Sequence, residues 1–316
     1  MNPSFTTPAL DGRMKLIRPD ELQLPRKRGL TRRGLILGGG AVGLAAMSGA
    51  AYGAGEAALD LQVTQYRPVP RAWPKGQRLT MTVIADLHAG GPNMGLERVR
   101  SVVDAANAVP SDIVLLLGDY FATHRFVTER VPHAAWAGEL ARLKSRLGTY
   151  AIFGNHDWWF DIEGVRHALA AVSIPALEND ALLLGEPGEK FWLAGLGDQV
   201  AFRLGHRKFR GVDDLPGTLA RLTTDDPAIL MVHEPDIFTQ VPDRVALTIA
   251  GHTHGGQIRI PLVWEAFIPS AYGTRFVYGH VVEEGRHLIV SGGLGTSFVP
   301  ARVGVPPEIV RIELGA

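Results

Sequence analysis

Five short polar clusters hold the residues that could do chemistry: Asp86-Leu87-His88, Gly118-Asp119, Gly154-Asn155-His156-Asp157, His233-Glu234-Pro235-Asp236 and Gly251-His252-Thr253-His254-Gly255-Gly256-Gln257. Each follows a short apolar run, so each falls at the carboxyl end of a predicted strand, where open α/β sheets place their ligand sites. Together they offer carboxylates, imidazoles and one amide, and the chain has no cysteine. Oxygen and nitrogen donors without sulfur suit Mn, Fe or Zn. The set is large enough for two ions, and two ions about 3.5–4 Å apart can clamp the attacking and leaving oxygens of an in-line displacement at phosphorus. Asp86 and His88 are read as side chains on one side of an extended segment, and His252 and His254 repeat that spacing. Glycines 118, 154, 251, 255 and 256 let the backbone turn tightly beside them.

The ordered set resembles the calcineurin-like metallophosphoesterases, whose pattern is Asp-x-His, Gly-Asp, Gly-Asn-His-Asp or Glu, a lone His, then Gly-His-x-His. One element alone is weak; all of them in order, from Asp86 to His254, are specific. The Gly-His-Thr-His-Gly-Gly-Gln block at 251–257 and the tail Gly293-Leu294-Gly295-Thr296-Ser297 with Pro307-Glu308-Ile309 are similar to a bacterial, often membrane-associated phosphodiesterase branch. The likeness covers residues 79–314. It implies that Asp86, His88 and His254 bind one divalent metal ion and that Asn155, His233 and His252 bind a second, with Asp119 bridging. It further implies that His156 serves the leaving group, as proton donor or by stabilising developing charge, and that Asp157 orients His156. One departure stands out. Many members carry a second aspartate three residues after the Gly-Asp pair, whereas here the run is Gly118-Asp119-Tyr120-Phe121-Ala122-Thr123-His124. That residue is not usually a direct ligand, so its absence bears on the outer support of the site.

The elements that must position these residues are legible as apolar runs. Strands are expected at Leu79–Ala85, Ile113–Leu117, Tyr150–Phe153, Phe191–Ala194, Ile229–Val232, Val245–Ile249, His287–Ser291 and Ile309–Ile312. Helices are expected at Leu96–Ala108, from Leu96, Val99, Val102, Val103 and Ala106 at helical spacing, and across Ala134–Leu147. Strands alternating with helices early and dominating late point to an α/β fold. The resemblance implies a four-layer α/β/β/α sandwich in which two sheets pack face to face.

The N-terminal region reads differently. Residues 1–54 form a basic stretch followed by a glycine-rich apolar run from Leu35. The junction Thr31-Arg32-Arg33-Gly34-Leu35-Ile36 resembles a twin-arginine export signal. The apolar run, about twenty residues at ~1.5 Å each, is also long enough for a membrane anchor. Cleavage near Ser48-Gly49-Ala50 and retention as an anchor both remain open. Residues 55–78, with Pro68, Pro70, Pro74 and Gly76, read as a linker before a metallophosphoesterase domain at 79–316. On this reading the partners are a phosphate-ester substrate, the twin-arginine export machinery and a membrane. The expected location is the periplasm or the outer face of the bacterial cytoplasmic membrane.

The composition narrows the rest. The formal net charge is zero and 20% of residues are charged, which gives no whole-molecule reason to expect nucleic acid as partner. At 46% hydrophobic residues the chain can bury a sizeable core. Without cysteine, disulfides, thiolate zinc sites and cysteine nucleophiles are excluded. The leading function is a phosphodiesterase or pyrophosphohydrolase acting on a lipid-linked or nucleotide-sugar phosphate. An exported phosphomonoesterase, or a binding scaffold on the same fold, are the alternatives. His124 and His280 are outlying candidates for the site. Trp158-Trp159-Phe160 reads as packing under a loop or as an apolar wall for substrate. The basic run Arg203, His206, Arg207, Lys208, Arg210 reads as a solvated loop or a contact for anionic headgroups.

Overall fold

A computed structural model describes Gly55 and residues 60–205, 208–261 and 264–316. The expected export signal or anchor at 1–54 lies outside the described residues.

In chain order, β1 (Gln62–Tyr66) and β2 (Leu79–Ile84) precede α1 (Leu96–Asn107), then come β3 (Ile113–Leu116), α2 (His133–Leu140) and β4 (Thr149–Ala151). Next are α3 (Asn155–Phe160), α4 (Ile162–Ala171), β5 (Asp180–Leu184), β6 (Phe191–Gly195), β7 (Phe202–Gly205) and β8 (Lys208–Arg210). After them follow α5 (Leu215–Ala220), β9 (Ala228–Met231), β10 (Val245–Ala250), β11 (Gly279–Glu283), β12 (Arg286–Val290) and β13 (Glu308–Leu314). The described residues thus form a mixed α/β fold. One sheet runs β1-β13-β2-β3-β4, a second runs β11-β12-β10-β9-β6-β5, and β7 and β8 form a separate hairpin.

Packing follows from the side-chain pattern. β2, β3, β9 and β10 are almost wholly buried apolar runs, as expected of strands covered on both faces. Residues alternate along them. Met81, Val83, Ile113 and Leu115 share one apolar cluster with Leu193, Ile229, Met231 and Leu247 of the other sheet. Ile84, Val114 and Leu116 face the opposite way, against Val99, Val102 and Val103 of α1 and Trp136 of α2. On the second sheet Leu230, Leu288 and Val290 pack with Leu215, Phe238 and Phe276.

Two sequence expectations are corrected here. Gln62–Tyr66, assigned to the linker, is a strand paired in parallel with β13, and Thr64 and Tyr66 on it are only partly exposed. The nearby prolines mark where the strand ends and do not exclude it. The helix expected at Ala134–Leu147 stops at Leu140, and the chain then turns through 141–148 to enter β4.

β2, β3 and β4 run parallel to one another, and so do β9 and β10. Their carboxyl ends therefore emerge together within each sheet, and each is followed by one of the polar clusters.

Candidate metal centre

The backbone leaves strand geometry at once where those strands end. Asp86 (φ 50°), His88 (φ 43°), Asp119 (φ 57°), His252 (φ 69°) and His254 (φ 51°) all sit in the left-handed region. For a non-glycine residue this costs about 1–3 kcal/mol, and Asp and His are among the types that tolerate it best. The expectation that Asp86 and His88 project together from an extended segment is therefore wrong in its cause. They converge because left-handed turns fold the chain back, and the backbone hydrogen bonds His88 N to Asp119 O (2.9 Å) and Ala89 N to Tyr120 O (2.9 Å) tie the two loops together.

The side chains form two adjoining groups. In the first, His88 Nε2 lies 3.1 Å from His254 Nε2 and 3.5 Å from Asp119 Oδ2, while His254 Nε2 lies 3.6 Å from Asp86 Oδ1. In the second, Asn155 Oδ1 lies 3.1 Å from His233 Nε2 and 2.8 Å from His252 Nδ1. His233 Nε2 is 3.4 Å from Asp119 Oδ2. All seven residues expected as ligands are thus brought together, with one oxygen of Asp119 between the groups.

This donor set fits divalent cations. His233 donates from Nδ1 to Leu117 O (2.6 Å), which turns its Nε2 toward Asn155 and Asp119. Burial opposes a proton there, but the Asp119 carboxylate outweighs it and raises this imidazole well above its usual pKa, so a bound cation would take the place of that proton. His252 donates from Nε2 to Pro269 O (3.1 Å), so its Nδ1 faces Asn155 as an acceptor. The two ring nitrogens and the Asn155 carbonyl oxygen thus converge where one cation could take all three as ligands. Donors about 2.1 Å from a shared ion lie about 3–4 Å apart, as these do. The titration behaviour agrees. Burial pushes the Asp86 carboxyl up to about 7, with Asp119 adding to the effect. Burial drives the His88 imidazole down to about 3 and that of His254 well below its usual value. Burial also opposes the Asp119 charge, but the imidazoles of His233, His156 and His88 outweigh it and hold that carboxyl well below the carboxylate range. Bound ions would supply the positive charge that the buried carboxylates lack.

His156 sits beside this centre, its ring centroid 4.9 Å from that of His88. Its Nδ1 contacts Thr123 Oγ1, and its Nε2 is 3.2 Å from Ser297 Oγ. Asp157 does not orient it, contrary to expectation. The Asp157 carboxylate accepts instead from the backbone N–H of Asp119 (2.9 Å), Tyr120 (3.0 Å) and Gly154 (2.9 Å). At the third position of α3 it reaches back to the cap residue, as acidic residues there commonly do, and the same carboxylate clamps the Asp119 loop. Burial and the neighbouring Asp119 push Asp157 up to about 7 against those three donors. Burial lowers His156 to about 4, with Asp119 pulling the other way.

Three residues at the centre were not singled out from the sequence. Thr123 and Ser297 flank His156, and Ser297 lies within the tail segment whose likeness to the family was visible. The third, Arg302, is fully buried and donates from Nη2 toward His254 Nδ1 (3.2 Å) and Gly295 O (2.6 Å). A lone arginine between apolar residues has no periodic signal. Glu234 also approaches, its Oε1 4.0 Å from His252 Nδ1. The outlying histidines stay apart. His124 accepts from Phe126 N, and His280 is 3.0 Å from His287 on the neighbouring strand.

A family model for the calcineurin-like phosphoesterases matches residues 79–256. The chain belongs to that family. Within the matched region lies a buried Asp/His cluster compatible with a dinuclear divalent site. Its relatives include a zebrafish (Danio rerio) transmembrane protein with metallophosphoesterase domain, 31% identical over 84% of this chain and 60% of that protein. Phosphodiesterase YaeI of Escherichia coli is 32% identical over 64% of this chain and 70% of the relative. An uncharacterized metallophosphoesterase of Aquifex aeolicus is 28% identical over 80% of this chain and 92% of its own length. The chain thus spans little more than half of the vertebrate relatives, 60% of the zebrafish protein and 56% of the bovine one. Among solved structures, a 5'-nucleotidase precursor from Thermus thermophilus is similar at TM-score 0.45 and 15% identity, over 75% of this chain and 55% of that one. A likeness that slight supports nothing further.

Proposed function

We propose that this calcineurin-like phosphoesterase is a two-metal phosphodiesterase or pyrophosphohydrolase. The observation that carries the reading is Asp119 Oδ2, 3.5 Å from His88 Nε2 and 3.4 Å from His233 Nε2, which joins two groups of candidate ligands into one centre. The bacterial relative named as a phosphodiesterase supports the diester preference. Mn, Fe and Zn are the metals the donors suit. The three apolar clusters, one between the sheets and one on each outer face, support a four-layer α/β/β/α sandwich.

Two divalent ions would supply Lewis acidity and a water of lowered pKa at phosphorus. Asp86, His88 and His254 would hold one and Asn155, His233 and His252 the other, with Asp119 shared between the two groups. His156, beside His88, would meet the leaving-group oxygen. Pushed down to about 4, its imidazole is neutral at pH 7, so its part is to offer an N–H to developing negative charge. An arriving phosphate anion would raise that pKa and bring proton donation within reach. Thr123 holds the ring at Nδ1, and the contact of Nε2 with Ser297 is the one a leaving-group oxygen would have to replace.

Export is part of the proposal. Arg32-Arg33 ahead of a glycine-rich apolar run supports the twin-arginine route to the periplasm or the outer membrane face. No helix among the described residues is long and apolar enough to cross a membrane. The first experiment is hydrolysis of a bis-aryl phosphodiester by protein that has been chelated and then resupplied with Mn²⁺. Turnover restored by metal and absent in Asp119→Asn is expected. No turnover with Mn²⁺, Fe²⁺, Zn²⁺ or Mg²⁺ in a folded protein would overturn the reading.

A further inference from the structure

Two features that the sequence left apart, the aromatic block after His156 and the residues Arg203, Lys208 and Arg210 of the basic run, meet in one patch. β7 and β8 pair antiparallel outside both main sheets, and every described residue of the two strands is exposed. The hairpin docks on α3 through its aromatics: Phe202 meets Trp158 edge-on at 5.4 Å, and Phe209 stacks on Trp159 at 6.0 Å. The Arg203 guanidinium lies 3.4 Å over the Trp159 ring. Phe160 in turn stacks at 6.0 Å on His156, so one surface runs from the hairpin to the reacting end of the site.

That surface is apolar and basic together. Leu204 is 61% exposed, Phe160 52% and Phe209 43%. Among the described residues, Arg203, Lys208 and Arg210 form no ion pair with a carboxylate, although Arg-to-acid pairs are common elsewhere on this chain. A freely soluble phosphate ester would use the cations but leave Leu204, Phe160 and Phe209 in water. Arg203 and Arg210 are instead held over the Trp159 and Phe202 rings, and apolar side chains interleaved with cations that have no acidic partner fit an anionic lipid surface, where the cations meet headgroups and the apolar groups enter the acyl boundary.

We propose that the β7–β8 hairpin, with Phe160, docks on an anionic bilayer and presents a lipid-borne phosphodiester to the metal centre. The substrate half of this inference rests on the two-metal reading above; the docking half does not.

The chain has no cysteine, so Leu204→Cys in the full chain gives a single attachment point for an environment-sensitive fluorophore. Val282→Cys, 53% exposed on β11 in the second sheet, is the comparison site and reports independently of any anchoring through residues 1–54. A blue shift and a several-fold intensity rise at position 204 with phosphatidylglycerol vesicles, absent with phosphatidylcholine vesicles and absent at position 282, is the expected result. An unresponsive label at 204, an equal response at 282, or an equal response to neutral vesicles overturns the proposal. A shift that follows protein concentration without vesicles assigns the surface to a second copy and also overturns it. In a second arm, Lys208→Glu with Arg210→Glu is expected to leave hydrolysis of a soluble bis-aryl diester unchanged. Hydrolysis of a hexadecyl aryl phosphodiester embedded in phosphatidylglycerol vesicles should fall about tenfold or more. Equal rates on the embedded substrate would sink the delivery role. If the wild type hydrolyses neither diester, the enzymatic reading fails, and the fluorescence arm still decides the docking surface.

Discussion

The carboxylate of Asp157 holds the backbone N–H of Asp119 at 2.9 Å, so a residue of the third polar cluster sets the position of the ligand in the second. The same oxygen takes Gly154 N at 2.9 Å, fixing Asn155 one residue later. Asp157→Asn converts one acceptor oxygen into a donor facing backbone N–H groups. It is expected to weaken metal binding about 10–100-fold, the usual effect of an outer partner. Metal titration by calorimetry checks this. Unchanged affinity with altered turnover would instead place Asp157 in the chemistry.

His156 makes the opposite prediction. His156→Ala should keep both metals and lose ~10²–10⁴ in rate, most on substrates with poor leaving groups. Thr123→Ala, which removes the contact at Nδ1, should reproduce part of that loss and leave metal content intact. Metal analysis beside the rates separates the cases. Full activity of His156→Ala on an alkyl leaving group would remove His156 from the mechanism.

The left-handed ligand residues and the buried like-charged carboxylates make the metal-free centre costly. Chelation should therefore lower the melting temperature, and Mn²⁺ should restore it. At a hundredfold excess over Kd a bound ion contributes about 2.7 kcal/mol, which corresponds to several degrees for a domain of this size. Asp119→Asn should melt at the same temperature with and without chelator. A metal-dependent shift that survives in Asp119→Asn would show that the bridge is not needed for binding.

Asp198, which is not itself a candidate ligand, offers a further test. It is fully buried, Val200 N donates to its Oδ1 (2.8 Å), and its carboxyl lies against that of Glu234. Burial first, and then nearby Glu234, push its carboxyl well above the usual range. A folded-state pKa raised above the unfolded value means that the unfolded chain ionises first as pH rises. Stability is therefore lost from about pH 4 upward, until the folded form ionises as well. Asp198→Asn removes that loss, so its melting temperature relative to wild type should rise as pH increases above about 4. A difference independent of pH would show that Asp198 carries its charge in the fold.

The ligands were legible because metal binding leaves few residue types to choose from, and buried strands place those residues at recognisable spacings. All seven converge although the reason given for Asp86 and His88 was mistaken: one-dimensional alternation cannot reveal a left-handed turn. The supporting residues were less visible. Thr123 and Ser297 reach His156 across long stretches of chain, and Arg302 reaches His254 from 48 residues away. Asp157 was misassigned because adjacency to His156 in sequence suggested a side-chain pair, while the helix geometry of α3 turns the carboxylate to the backbone. β1 was missed because its pairing partner, β13, lies far away in sequence, and its own residues are half polar. The hairpin of β7 and β8 was missed for want of a buried face.

The positive φ angles at Asp86, Asp119 and His254 also restrict what mutagenesis can reveal there. Asn and Gly tolerate that conformation, whereas β-branched residues resist it, so Asp→Asn probes the ligand alone and Asp→Val probes the loop as well. The two demands select overlapping letters. A descendant that abandoned the metals would still be held to Asp, Asn or Gly at 86 and 119 by its backbone. In such a chain, an aspartate surviving at either position would testify to the turn and not to the ion, whereas the imidazole at 233, which has no positive φ, would be the informative loss.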